Sequence, residues 1–421
     1  MKNIIKMFCA GLCLVNFAYA VTITPSIQPA SCLKNCIATI DPATPQQAAP
    51  GTTVNFKIQV NQSGYPNLTF SQPIIAQDNL SQTKNPIYCE NSIVKDNGTG
   101  YTLTVIAPNH NCVLNVTVMG TYQLPSPPGS LVYNADSNGN LWFTEPFANQ
   151  IGVFSPSTEN ITQYPVAGTG GPANLINGPN NSSTLWFNEM NRSALGSIDL
   201  NGNVKQYSIP GLRAAPNLIT LGADSNLWFT ETAEAGGQFG KFDLSTYETS
   251  KYIIPAGVFD VFAMTKGPDN NLWLIFKIKS FEVAKIDTTG TTLKIYPLPE
   301  PFDYGITAGN DGNLWIMEGS GDNTSQIGVM TPTTGTIKQY PIQGNVIFTN
   351  NQIISAPPGS NNLWFTGLMN GNQGAIFSIT TSGTITAYQV PSITEAPVGI
   401  TFDQNGNLWY ITQYPNMIGV L

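Results

Sequence analysis

From residue 121 to the C-terminus, short apolar runs are separated by polar turns, and one run keeps returning. Its first copy is Asn140-Leu-Trp-Phe-Thr-Glu145. Leu, Trp and Phe are consecutive, whereas a half-buried strand alternates apolar and polar residues. Consecutive apolar residues therefore predict a strand buried on both faces. The run recurs at 184–189, 226–231, 271–276, 313–318, 362–367 and 407–412. The seven tryptophans, Trp142, Trp186, Trp228, Trp273, Trp315, Trp364 and Trp409, fall one to a copy, 44, 42, 45, 42, 49 and 45 residues apart. For an all-β unit, that period predicts the blades of a propeller.

Each copy extends to a unit of four strand-length pieces, A to D. In the fifth, 305–308 is A, 313–318 is B, 327–330 is C and 337–341 is D. Turn residues such as Gly309-Asn-Asp-Gly312 and Thr333-Thr-Gly335 stand between them. Strand C carries a glycine (Gly152, Gly196, Gly240, Gly328, Gly419), which we expect to leave room for the adjacent blade's tryptophan. Strand D carries Tyr, often before Pro, as suits an outer edge strand. The chain ends at 418–421 on a strand C, while 121–125 reads as a strand D with no blade. Pairing 121–125 with 418–421 closes a ring of seven blades over 121–421 and removes an open sheet edge.

Residues 21–120 hold no copy of the unit. Alternating runs at 53–60, 101–107 and 112–118 predict a β-sandwich of immunoglobulin-like type. Residues 1–20 read as a signal peptide, with Lys2 and Lys6, an apolar stretch over 7–15 and Ala18-Tyr-Ala20 as the cleavage site. The apolar stretch is too short to span a bilayer. We therefore expect an exported monomer (periplasmic, cell-surface or secreted) with no transmembrane segment. Of six cysteines, Cys32, Cys36, Cys89 and Cys112 follow the leader. An even number in an oxidising compartment suggests disulfides Cys89–Cys112 and Cys32–Cys36, with metal binding as the rival reading. Charged residues make up 10% of the chain and the formal charge is −8, which argues against nucleic acid as a partner.

The runs Ser137-Asn-Gly-Asn-Leu-Trp-Phe-Thr-Glu145, Asp224-Ser-Asn-Leu-Trp-Phe-Thr-Glu231 and Asn310-Asp-Gly-Asn-Leu-Trp315, with the Ile-Gly-Val and Tyr-Pro runs behind them, resemble the streptogramin B lyase (virginiamycin B lyase) family. The resemblance covers 121–421. It implies a seven-bladed propeller and elimination at an ester of a cyclic depsipeptide. It also implies a magnesium ion, glutamates and a histidine general base on one face. The single histidine is His110, outside the repeat.

Strand order puts the D-to-A and B-to-C loops on one face. Glu145, Glu189, Arg192, Arg213, Glu231, Asp260, Glu318 and Glu395 fall there, as do Glu300 and Asp322. Two readings stand. The carboxylates could converge on Mg²⁺ or Ca²⁺, with the arginines gripping an anion. Or each glutamate fastens its own loop by accepting backbone N–H bonds. In blade five, Asp303 and Tyr304 open strand A and Glu318 closes strand B, a candidate catalytic and metal-binding group that could replace a histidine base. The resulting expectation is a propeller that binds a small-molecule, glycan or protein ligand on its acidic loop face. The alternative is a magnesium-dependent carbon–oxygen lyase.

Overall fold

The computed structural model describes strand segments within 21–117, almost wholly by backbone, and most of 120–421. Within the latter, 132–135, 182, 190, 210–215, 232–237, 254–259, 278–279, 300–302, 320–324, 343, 345, 349–352, 358–359, 370–372 and 391–396 fall outside the description. So do residues 1–20, Cys32, Cys36, Cys89, His110, Arg213, Glu300, Asp322 and Glu395. For Cys112, Asp260, Asp303 and Tyr304 only the backbone is described.

The chain is all-β, and its repeats form a seven-bladed propeller. Blade two has the full antiparallel order Pro172–Asn177, Thr184–Glu189, Ala194–Asp199, Val204–Ser208. Blades three, four and five repeat it from Pro216–Leu221, Asp260–Lys266 and Asp303–Ala308. In blade one the described part of the inner strand is the bridge Leu131↔Phe143. In blade six it is split between Val346–Ile347 and Ile353–Ser355, both paired with Leu363–Met369. In blade seven, Gly120–Gln123 lies antiparallel to Met417–Val420, with Thr121 opposite Gly419 and Tyr122 opposite Ile418. Before residue 120, eight strands pair into two four-stranded sheets, in which Val21–Gln28 runs parallel to Cys112–Thr117, and Thr69–Phe70 instead pairs with Gly120–Gln123 at the edge of blade seven.

Both faces of strand B are covered, as its consecutive apolar residues require. Every residue of Leu141–Glu145, Leu227–Glu231 and Leu314–Glu318 is buried. In every blade the strand-B tryptophan meets the strand-D tyrosine. Their ring centroids lie 5.8 Å apart for Trp142–Tyr164, 5.4 Å for Trp228–Tyr252 and 6.4 Å for Trp409–Tyr122. Each tyrosine also reaches the next blade. Tyr164 and Tyr252 cover the C-to-D turn glycines Gly202 and Gly290, whose φ values are +87° and +86°. Those turns need glycine twice over, for the left-handed backbone and for the ring above it. At the closure Tyr122 packs 4.7 Å from Phe154 of blade one and donates to Glu159 Oε1 at 3.0 Å.

The strand-C glycine does not serve the adjacent blade's tryptophan. A Cβ at Gly152, Gly196 or Gly240 would strike Phe143, Phe187 or Phe229 of its own blade, and at Gly419 it would strike Tyr410. Strand B and strand C are in register there, Phe143 opposite Gly152, so the ring lies flat over the glycine instead of crossing to the next sheet.

Candidate functional site

Seven inner strands enclose a central cavity of about 830 Å³, lined among others by Ser130, Asn174, Leu218, Thr265, Thr307 and Ile354. In blades two to five the ladder between strands A and B shifts register where strand A begins, between Pro172 and Leu175, Pro216 and Ile219, Val261 and Ala263, and Asp303 and Gly305. Such bulges re-aim side chains at a sheet end. In blades one to three a strand-B side chain holds the backbone at this end of the inner strand: Thr144 Oγ1 accepts from Ser130 N at 2.9 Å, Asn188 Oδ1 from Asn174 N at 2.9 Å, and Thr230 Oγ1 from Leu218 N at 3.1 Å.

The glutamates that close strand B do not converge on this mouth. Glu145, Glu189 and Glu318 are 0% exposed and Glu231 is 6% exposed. Each is met by one residue of its own strand D. Gln163 donates to Glu145 at 2.6 Å, Gln206 to Glu189 at 2.7 Å and Gln339 to Glu318 at 2.7 Å, and Lys251 lies 3.5 Å from Glu231. Ser126 adds a donor to Glu145, and Gln326 adds one to Glu318 at 3.2 Å. These partners are chiefly strand-D side chains, which corrects the expectation of backbone N–H donors. The strand ends are already paired in the ladder, leaving the side chains of strand D as the free donors. In blade five the glycine serves the carboxylate itself, since a Cβ at Gly328 would meet Glu318 Oε1.

The same pairing is written in the repeats. Where strand B ends in Phe276, Gly367 or Thr412 in place of glutamate, the strand-D partner is Ile295, Ala387 or Thr121. A long amide or ammonium donor stands in the four blades that have the acid, and none of the three that lack it has one.

Burial raises the pKa of Glu189, offset in part by the Gln206 amide and the Arg192 charge. It raises that of Glu231 too, against the Lys251 ammonium. Arg192 lies 3.5 Å from Glu189 Oε2 and packs on Gly168, so this pair pins the loop over 166–171. In blade five, Asp303 stands opposite Glu318 in the ladder and Tyr304 sits in the bulge. Asp260 stands opposite Lys277 in blade four. Glu318 Oε2 faces two amide N–H groups, from Gln326 and Gln339. Among the described residues, no group of three His, Cys, Asp or Glu could hold a metal, and no helix is long and apolar enough to cross a membrane.

Residue patterns passed over two side chains on the same face. Phe147, in the B-to-C loop of blade one, is 80% exposed, and Tyr414, in that of blade seven, is 59% exposed. Ring closure makes these blades neighbours, and Gln413 Nε2 donates to Pro128 O across the seam at 3.0 Å. An aromatic in an otherwise polar loop was the available signal.

The model of the virginiamycin B lyase family matches residues 111–301 and 231–421. The chain belongs to the virginiamycin B lyase family. Within this family of folds, a streptogramin B lyase structure is 28% identical with a TM-score of 0.60, covering 72% of this chain and 96% of that chain. A catalytically inactive histidine-to-alanine variant of virginiamycin B lyase from Staphylococcus aureus, with quinupristin, is 25% identical with a TM-score of 0.60, covering 72% and 98%. Hydrazine synthase from Kuenenia stuttgartiensis, 13% identical with a TM-score of 0.57 over 71% of this chain and 96% of that one, shares the fold alone. No curated protein sequence matches.

Proposed function

We propose that this virginiamycin B lyase-family propeller is an exported binding protein. Its ligand is a peptide, glycan or small cyclic molecule held on the face of the D-to-A and B-to-C loops. One observation carries the reading: the strand-B carboxylates are turned into the blades and engaged there, while Phe147 and Tyr414 stand exposed on that face. Exposed aromatic rings beside a polar mouth suit ligands that combine flat apolar surface with hydrogen-bonding groups. The leader-like residues 1–20 support export.

A second reading, a carbon–oxygen lyase, is favoured by the 28% identity to a streptogramin B lyase. It requires a magnesium site and a base, and the chain's one histidine, His110, precedes the repeats. Quinupristin incubated with the protein, with and without magnesium, separates the two. Mass spectrometry reads ring opening, and calorimetry against quinupristin and glycan and peptide arrays reads binding. The binding reading expects an intact ring and a saturable ligand lost in Phe147→Ser with Tyr414→Ser. Catalytic ring opening, or no ligand on any array, would overturn it.

A further inference from the structure

On the opposite face, the A-to-B turns protect the tryptophans. An aspartate in that turn accepts the indole N–H: Asp136 from Trp142 at 2.8 Å, Asp224 from Trp228 at 3.1 Å and Asp269 from Trp273 at 2.9 Å. Asp311 does the same for Trp315 at 3.1 Å and Asp403 for Trp409 at 3.0 Å. In blades three and four a strand-C lysine adds cover. Lys241 and Lys285 lie over the indoles of Trp228 and Trp273, at 5.5 and 5.7 Å from the ring centroids, and reach the same aspartates.

Blade two lacks both covers. Its A-to-B turn contains the short 3-10 segment Pro179–Asn181 where blades one, three, four, five and seven place aspartate; blade six, too, has none between Ala356 and Asn362. The residue opposite Trp186 on strand C is Ser197, where blades three and four have Lys241 and Lys285; blade six likewise has Ser378 opposite Trp364, so the pocket is what sets blade two apart. A pocket of about 300 Å³ opens in the space left, against the C-to-D turn of blade three. Trp186, 5% exposed, lines it, and among the described residues its indole N–H has no hydrogen-bond partner. The other walls include Ser197, Asp199, Asn203, Lys205 and Tyr247. Tyr247 is 52% exposed and stacks on Tyr207 with centroids 5.0 Å apart, at an angle of 20°.

We propose that this seam between blades two and three is a second binding site, for one neutral pyranose ring of a glycan. The Trp186 N–H is a donor on the wall of the pocket with no protein acceptor among the described residues, and a ligand hydroxyl can take it. Around it stand the Lys205 ammonium and the Asp199 carboxylate, whose Oδ2 also accepts from the Asn203 amide at 2.8 Å. Hydroxyl groups, which donate and accept at once, satisfy such a mixed set. The opposite charges of Asp199 and Lys205 select no ionic ligand. The Tyr207–Tyr247 stack offers an amphipathic platform for the C–H face of a sugar, and the volume suits one ring with part of a second. The site is independent of the loop face proposed above, which lies at the other end of the strands.

The experiment uses the full chain, labelled with ¹⁵N. The indole N–H resonance of Trp186 is the one missing from the spectrum of Trp186→Phe. Methyl glycosides of glucose, galactose, mannose and N-acetylglucosamine are titrated in turn, with a nucleoside and a free amino acid as controls. At least one glycoside is expected to shift that resonance saturably at millimolar concentration. Ser197→Lys, which restores the cover seen in blades three and four, and Tyr247→Asn, which suits the +60° φ at that position, are each expected to weaken binding by about tenfold or more. Tyr247 is at the surface, so that variant reports even if Ser197→Lys disturbs the blade. The proposal is overturned if no glycoside moves the resonance at tens of millimolar, if only a control does, or if both variants bind as the wild type.

Discussion

Removing the carboxylate of Glu318 should destabilise the propeller, and by an amount the geometry sets. The group is 0% exposed and accepts from Gln339 at 2.7 Å and Gln326 at 3.2 Å. A hydrogen bond to a charged group contributes roughly 1.5–3 kcal/mol, and the longer contact falls at the bottom of that range. Glu318→Ala loses both bonds and leaves two amides facing a void, for a total of about 3–5 kcal/mol. Gln339→Ala keeps the Gln326 contact and should cost about 1.5–3 kcal/mol. The double variant loses the shared interaction only once, so the cycle should show a coupling of about 1.5 kcal/mol or more. Calorimetry would read these as a melting point lowered by roughly 6–10 °C for Glu318→Ala, at about 2 °C per kcal/mol for a domain of this size. A carboxylate held ready at a solvated mouth behaves otherwise. Single changes below about 0.5 kcal/mol, with no coupling, would refute the blade-internal role.

Three further outcomes follow from the same architecture. Gln123→Cys with Met417→Cys, which pair across the closing ladder, should form a disulfide spanning almost the whole propeller. Chain entropy sets its stabilisation at up to about 5 kcal/mol, and peptide mapping that finds no such crosslink would disprove the closure. Gly202→Ala should cost about 2–4 kcal/mol, from a left-handed backbone and a ring in the way, against about 1 kcal/mol for Gly139→Ala, where φ is +79° and the space is open. Equal effects in denaturant titrations would undo the account of the inter-blade tyrosines. Glu189 and Glu231 have folded pKa values raised by burial above the ordinary 4.5. Their contribution is therefore full below that value and lost as pH rises through the folded value. Relative to Glu189→Gln or Glu231→Gln, the wild type should gain stability as pH falls from neutral toward 4.5. A gap that narrows instead would contradict the shifts.

Blade count and strand order were legible along the chain because each blade repeats one hydrophobic code. A Leu-Trp-Phe run cannot face water on either side, and a period near forty residues allows little besides stacked four-stranded sheets. The recurring glutamate and aspartate were visible as well, but not their partners. Gln163, Gln206, Lys251 and Gln339 lie two strands away from the acids they meet, and Asp136 or Asp403 finds an indole only once the turn has closed. A linear pattern records that an acid recurs; whether it points at the channel or into the blade depends on the pleat, the register and the glycine between. The pocket over Trp186 is of the same kind. A turn without aspartate and a serine on the facing strand are unremarkable apart, and only the folded sheet sets both over Trp186 beside the next blade's turn and leaves a pocket there.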